Sequence, residues 1–329
     1  MAERDHIEQL DRAVAAILAG PRVSRPEVDA EIAALLAIAE ELRYMPDASF
    51  RERLAEDLRK ENRSMTAATA VSPIRSGFHT VTPYLIVDGA DRLMQFVKQA
   101  FGAEEKIRVP AEDGTIRHGE VRIGDSMLEF ADAIAGWPAM PGAIHLYVED
   151  ADTVYRRALE AGGTPLHPFG VRDYGDREGG VQDPVGNKWY IATHIAGAKG
   201  QYMPEGLGSL MPYLHPRSAD ALIEFLRRAF DGHLEGRYAA PDGRVMHARV
   251  RIGDSVVEMG EPSPWQAMPT TVHLYVPDAD ATYRAALEAG ARSLMEPKDQ
   301  PYGDRSGGVV DPEGNYWFIA THLRDVSFP

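Results

Sequence analysis

Two hairpins carry the residues best suited to chemistry. In "RHGEVRIGDSMLEF", Gly124-Asp125 is predicted to close a two-residue II′ turn, because glycine supplies the positive φ that the first central position needs. Arg122 then faces Met127, and Glu120 faces Glu129. Side chains alternate along strands with a period of two, so His118, Glu120, Arg122 and Glu129 share one face and Val121, Ile123, Leu128 and Phe130 the other. "MHARVRIGDSVVEM" repeats the arrangement, with His247, Arg249, Arg251 and Glu258 opposite Val250, Ile252, Val257 and Met259. An imidazole near a carboxylate suits general acid–base work when its surroundings bring a pKa toward neutrality. The chain has no cysteine, which excludes thiolate nucleophiles, thiolate metal sites and disulfides.

The elements that must position these faces occur twice. "YGDREGGVQDPVGNKWYIATH" (174–194) and "YGDRSGGVVDPEGNYWFIATH" (302–322) share sixteen of twenty-one residues at an offset of 128. "TPYLIVDGADRLMQFVKQAFGAE" corresponds to "MPYLHPRSADALIEFLRRAFDGH", and "HLYVEDADTVYRRALEAGG" to "HLYVPDADATYRAALEAGA". The copies span 80–195 and 209–323, joined by a Gly-rich linker at 196–208. Within each, strand signals alternate with amphipathic helices such as "ADRLMQFVKQAF", whose Leu93, Phe96, Val97 and Phe101 share a side. Asp183-Pro184 with Gly186-Asn187, and their counterparts at 311–315, are turn chemistry. Trp189 and Trp317 fall on the apolar face as core, and His194 and His322 read as polar strand ends bonded to backbone.

Residues 1–65 show helical periodicity instead: Ile7, Leu10, Val14 and Ile17, then Val28, Ile32, Leu35 and Leu42, then Phe50, Leu54 and Leu58. They are expected to form a small all-α module, followed by a linker at 66–79; residues 324–329 are a tail. The formal charge of −15 argues against nucleic-acid or anionic-membrane partners. No run approaches the roughly 20 apolar residues of a membrane span, and no secretory leader is read, so the expectation is cytoplasmic.

The paired "RIGDS" hairpins, the "HLYV.DAD" junctions and the "YGDR.GGV.DP.GN.W.IATH" endings resemble the vicinal oxygen chelate superfamily of glyoxalases, bleomycin-resistance proteins and dioxygenases, nearest its PhnB-like branch. The resemblance covers about 230 of the 329 residues. It implies an α+β fold of two tandem domains, each made of paired βαβββ modules whose sheets curl into a cup. It also assigns metal-ligand positions, which here hold Thr82 and Met211, Glu129 and Glu258, Ala143 and Thr271, and Tyr190 and Phe318. Only the glutamates are ordinary ligands, and an ion normally needs three or more. The expectation is therefore no metal and no cofactor.

In such a cup the polar hairpin face is interior, and alternation places His145 and Tyr147, or His273 and Tyr275, there too, with Tyr84 and Tyr213. Glu129, His145, Glu258 and His273 are the candidate catalytic residues. Tyr84, His118, Trp137, Tyr147, Tyr190, Tyr213, His247, Trp265, Tyr275 and Phe318 are candidates for ligand binding. Trp137 and Trp265 sit in Pro-flanked loops, either closing the rim as core or stacking on a flat ligand. The leading expectation is a small organic molecule in one or both cups, with metal-independent acid–base catalysis left open. One alternative is a metal-dependent lyase, isomerase or dioxygenase, using His118, Glu129 and His145 as improvised ligands. Another is a scaffold whose residues 1–65 dock a protein partner.

Overall fold

Period-two and period-3.6 patterns sort the chain into the predicted strands and helices in the computed structural model, which describes residues 71–197, 200–263 and 266–326. The helices expected over 1–65 lie outside the described residues. Four βαβββ modules follow in order. The first comprises β1 (Val81–Val87), α1 (Ala90–Phe101), β2 (Glu104–Pro110), β3 (Ile116–Ile123) and β4 (Ser126–Asp132). The second comprises β5 (Ala143–Tyr147), α2 (Ala151–Glu160), β6 (Thr164–Val171), β7 (Asp176–Gln182) and β8 (Lys188–His194). The third comprises β9 (Leu210–Leu214), α3 (Ala219–Phe230), β10 (His233–Ala239), β11 (Val245–Ile252) and β12 (Ser255–Met259). The fourth comprises β13 (Thr271–Tyr275), α4 (Ala279–Glu288), β14 (Arg292–Asp299), β15 (Asp304–Val310) and β16 (Tyr316–His322).

Each repeat supplies most of one apolar core, to which the other repeat adds a single buried residue, Leu210 in the first and Val81 in the second. Leu93, Phe96 and Val97 of α1 pack with Val121, Leu128, Phe130 and Trp189, while Leu222, Phe225 and Leu226 of α3 do the same with Val250, Val257, Met259 and Trp317. Both tryptophans are fully buried, as expected, and each indole donates to a turn aspartate: Trp189 Nε1 to Asp183 Oδ2 at 3.0 Å and Trp317 Nε1 to Asp311 Oδ2 at 2.9 Å.

The sheets, by contrast, are exchanged between repeats. One eight-stranded sheet runs β14-β15-β16-β13-β1-β4-β3-β2, and the other β10-β11-β12-β9-β5-β8-β7-β6. The first module thus completes its cup with the fourth, through antiparallel β1 and β13 (Thr82 opposite His273), and the second with the third, through β5 and β9 (His145 opposite Met211). The hairpin register is as predicted, with Arg122 opposite Met127 and Glu120 opposite Glu129. Gly124 has φ 61°, and a Cβ there would fall 2.3 Å from Ser209 Oγ of the other repeat, so the turn needs glycine for both backbone freedom and close approach. The neighbouring Asp125 accepts from Ser209 N at 2.8 Å, and Asp254 likewise from Thr80 N, so each hairpin anchors the strand that enters the opposite cup.

Part of the segment read as a linker is packed. Phe78 is buried with Met127, Tyr275 and Ala320, Ile74 rests against them, and Pro73 O accepts from His322 N. A chain beginning at Thr80 is therefore expected to melt several degrees below one beginning at Val71, as burial of one large apolar side chain is worth roughly 1.5–3 kcal/mol. Equal melting temperatures by calorimetry would show that these contacts contribute nothing.

Candidate functional site

Because the sheets are exchanged, each cup draws its histidine and glutamate from different repeats. His273 Nδ1 lies 2.5 Å from Glu129 Oε2, and His145 Nδ1 lies 2.5 Å from Glu258 Oε2. This corrects the expectation that His145 shares a cup with Glu129 and His118: the improvised set of His118, Glu129 and His145 is split between cups. All four residues are buried, and pairing between distant modules chose the partners.

The first cup, lined by β1, β3, β4, β13 and β16, encloses a cavity of about 1000 Å³. Tyr84, Ile86, Ile116, Trp137, Met295 and Phe318 give it apolar and aromatic walls, and Arg75, His118, Glu129, His273 and Tyr275 are polar. Trp137 is half-buried, its ring centroid 5.5 Å from that of Phe318 and 6.2 Å from that of Tyr316. Trp265 lies outside the described residues. Glu120 is fully buried: its Oε1 meets His118 Nε2 at 2.9 Å, and its Oε2 accepts from Arg75. Burial pushes the Glu120 carboxyl up, but bonds to His118 and Arg75 outweigh that and hold it below its ordinary value.

Beneath each His–Glu pair runs the same polar chain. Tyr275 OH donates to Asp304 Oδ2 at 2.9 Å, and Asp304 Oδ1 meets His322 Nδ1 at 2.7 Å; Tyr147, Asp176 and His194 repeat this at 2.7 and 2.6 Å. His194 and His322 thus end their strands on a carboxylate rather than on the backbone acceptor expected, because β7 and β15 bring an aspartate alongside. Each tyrosine ring lies against the cup histidine, with centroids 4.5 Å apart.

The second cup has the same skeleton and different walls. Glu178 stands where the first cup has Ser306, His167 where it has Met295, Tyr190 where it has Phe318, and His215 where it has Ile86. Tyr190 OH bonds His215 Nε2 at 3.0 Å, and Tyr213 packs edge-on against Tyr190 with centroids 5.1 Å apart. His215 Nδ1 faces Gly260 O at 3.3 Å, and burial pushes the imidazole down to about 4, so its Nε2 is the acceptor for the tyrosine. His247 Nε2 is 3.8 Å from Glu258 Oε1, and Glu178 Oε2 is 3.8 Å from His145 Nε2. Burial by itself lowers the His145 imidazole, but the charge and hydrogen bond of Glu258, with Glu178 and Asp176 beyond, push it up to about 9. Glu258 is held below its ordinary value by the same contact, against the upward pull of burial.

Of the other hairpin residues, Arg122 is an exposed partner of Glu104, and Arg251 pairs with Glu235. Sequence reasoning missed Arg75, hidden in a stretch read by composition as linker; its signal was the apolar Ile74 and Phe78 around it. It also missed Glu178, which has no counterpart in the second copy.

The positions that the resemblance assigns to metal ligands gather as Thr82, Glu129, Thr271 and Phe318 in the first cup, and Met211, Glu258, Ala143 and Tyr190 in the second. Phenylalanine and alanine offer no donor atom, so these sets do not fit a divalent ion.

A family model described as Glyoxalase/Bleomycin resistance protein/Dioxygenase superfamily matches residues 77–191 and 213–319. An uncharacterized protein of Mycobacterium bovis is 35% identical over 131 residues, covering 36% of this chain and 86% of that protein. One from Mycobacterium tuberculosis is likewise 35% identical over 131 residues and is covered to 77%. The crystal structure of glyoxalase I from Zea mays superposes with a TM-score of 0.55 at 16% identity, covering 73% of this chain and 92% of that one, a likeness of fold alone. Since the matched segments take up more than half of the 329 residues and coincide with the exchanged βαβββ modules, the chain belongs to the glyoxalase/bleomycin resistance protein/dioxygenase superfamily.

Proposed function

We propose that the chain binds a small organic molecule in the first cup, with a flat apolar body against Tyr84, Trp137 and Phe318 and a polar head toward His118, Glu129, His273 and Tyr275. The observation that carries this reading is the cavity of about 1000 Å³, which joins aromatic walls to a few convergent polar groups. His273 and Glu129 are the groups best placed to exchange a proton with that head; His145 and Glu258 are their equivalents in the second cup. There Tyr147, Tyr190, Tyr213 and His247 line a more polar interior, fit for a ligand of different character. The branch proposed is the PhnB-like one, on the strength of the hairpin and strand-end motifs.

Trp137 reports on this directly, because it lies on the wall while Trp189 and Trp317 are fully buried. A library of flat aromatic acids and phenols, screened by tryptophan emission, is expected to yield ligands that quench or shift the signal. Trp137→Ala is then expected to weaken binding by up to about tenfold, the value of one aromatic contact, with little change in melting temperature. A sharp fall in melting temperature with affinity intact would make Trp137 permanent core and remove the stacking role.

A further inference from the structure

We propose that the second cup binds a phenol whose hydroxyl sits between His145 Nε2 and Glu178 Oε2, an assignment that rests on the reading of the cups as sites for small organic molecules. His145 is 6% exposed, yet its Nε2 has no hydrogen-bond partner among the described residues. A buried polar atom left unpaired is costly unless something binds it. Glu178 Oε2, on β7, stands 3.8 Å away, too far for a direct hydrogen bond, but an oxygen about 2.8 Å from each atom spans the gap.

The two atoms select the group that fits between them. Against the pull of burial, Glu258, with Glu178 and Asp176 beyond, keeps the His145 imidazole protonated at neutral pH, so Nε2 carries a hydrogen and only donates. Glu178 acts as an acceptor in each of its contacts. Its Oε1 faces His167 Nε2 at 3.5 Å and Arg172 Nε at 3.9 Å, and its Oε2 accepts from Tyr174 OH at 3.0 Å, with a second lone pair left over. Arg172 Nη2 lies 2.7 Å from His167 Nδ1, and a guanidinium only donates, so the His167 proton is on Nε2, toward Glu178. A group bridging His145 and Glu178 must therefore accept from one and donate to the other. A hydroxyl does both, whereas a carboxylate is repelled by Glu178, a carbonyl gives it no donor and an ammonium is repelled by the imidazolium. The walls are aromatic: the His167 and Tyr190 rings are within 14° of parallel, Tyr213 meets Tyr190 edge-on, and Tyr147 lies against His145, surroundings that suit a ring behind the hydroxyl.

The repeat supplies an internal contrast. Glu178, His167 and Arg172 correspond to Ser306, Met295 and Gln300 of the first cup, so the acceptor and both residues that face its Oε1 differ together. Ser306 and Met295 line the first cavity, which puts Glu178 and His167 on the inner wall of the second. The phenol site therefore occurs once per chain although the fold occurs twice.

Calorimetric titration of the full chain with para-cresol and with its methyl ether tests this. The ether accepts from His145 but cannot donate to Glu178, so it is expected to bind more weakly by about tenfold or more. Glu178→Ser, which copies the first cup, is expected to weaken para-cresol by a similar factor and to remove its advantage over the ether, whereas Trp137→Ala in the first cup leaves that advantage intact. Should Glu178→Ser fail to fold, the unsubstituted chain decides, because para-cresol must then move the nuclear magnetic resonance signal of His145 Nε2 and the ether must do so less. No saturable binding of para-cresol, equal affinity for the ether, indifference to Glu178→Ser or an unmoved His145 signal would overturn the proposal. Any of these outcomes alongside a tryptophan emission response from the first cup removes the phenol site alone; silence in both assays removes the organic-ligand reading as well.

Discussion

Glu258→Ala is expected to destabilise the fold by about 3–5 kcal/mol near pH 6, the cost of removing one partner from a buried ion pair. His145 is 6% exposed and bonds Glu258 at 2.5 Å, so the substitution leaves an imidazolium in the interior with its main counter-charge gone. His145 is raised from its ordinary 6.5 to about 9, so its contribution to stability is fully present below pH 6.5 and is lost as the pH climbs through about 9. Glu258 is depressed from 4.5, so its contribution is present above that pH and is lost in acid. The window of the pair is thus pH 4.5 to about 9, and the penalty of Glu258→Ala should shrink between pH 7 and 10. Adding His145→Leu should recover part of the loss at pH 6, because the unpaired charge goes with it. Urea unfolding of the wild type, both single variants and the double variant across this range measures all three. A penalty below about 1 kcal/mol at pH 6, or one that stays constant to pH 10, would mean that the pair is not charged.

Cutting the chain within residues 196–208 and separating the halves is expected to abolish both cups. The half ending before the cut retains α1, α2 and their shared core, but β1 and β5 lose β13 and β9, exposing hydrogen-bonding edges and the buried Thr82, Met127 and Tyr147. Each half should therefore self-associate, placing Glu129 against His145 of a second copy as it lies against His273 in the intact chain. Mixing the halves should restore the parental near-ultraviolet circular dichroism and any ligand response of Trp137. Native mass spectrometry decides it: a well-folded monomeric half with the parental spectrum would show that a single repeat closes its own cup.

Local rules made much of this legible in the sequence. Strand alternation has a period of two, so the register at Gly124-Asp125 placed His118, Glu120 and Glu129 on one face without reference to anything distant, and did the same for His247 and Glu258. Helix periodicity placed Leu93, Phe96 and Val97 in a core for the same reason. Which module completes which cup is different, because β1 can pair with β5 or with β13, and the two strands are nearly the same sequence, "AIHLY" and "TVHLY". No local pattern separates such equivalent partners. Only the tertiary structure, in which the hairpins at Asp125 and Asp254 hold Ser209 and Thr80 of the other repeat, decided that His273 rather than His145 meets Glu129. It likewise decided that Arg75, carried in by the packing of Ile74 and Phe78, reaches Glu120 from outside the sheet, a contact that 45 residues of separation hide from any sequence period.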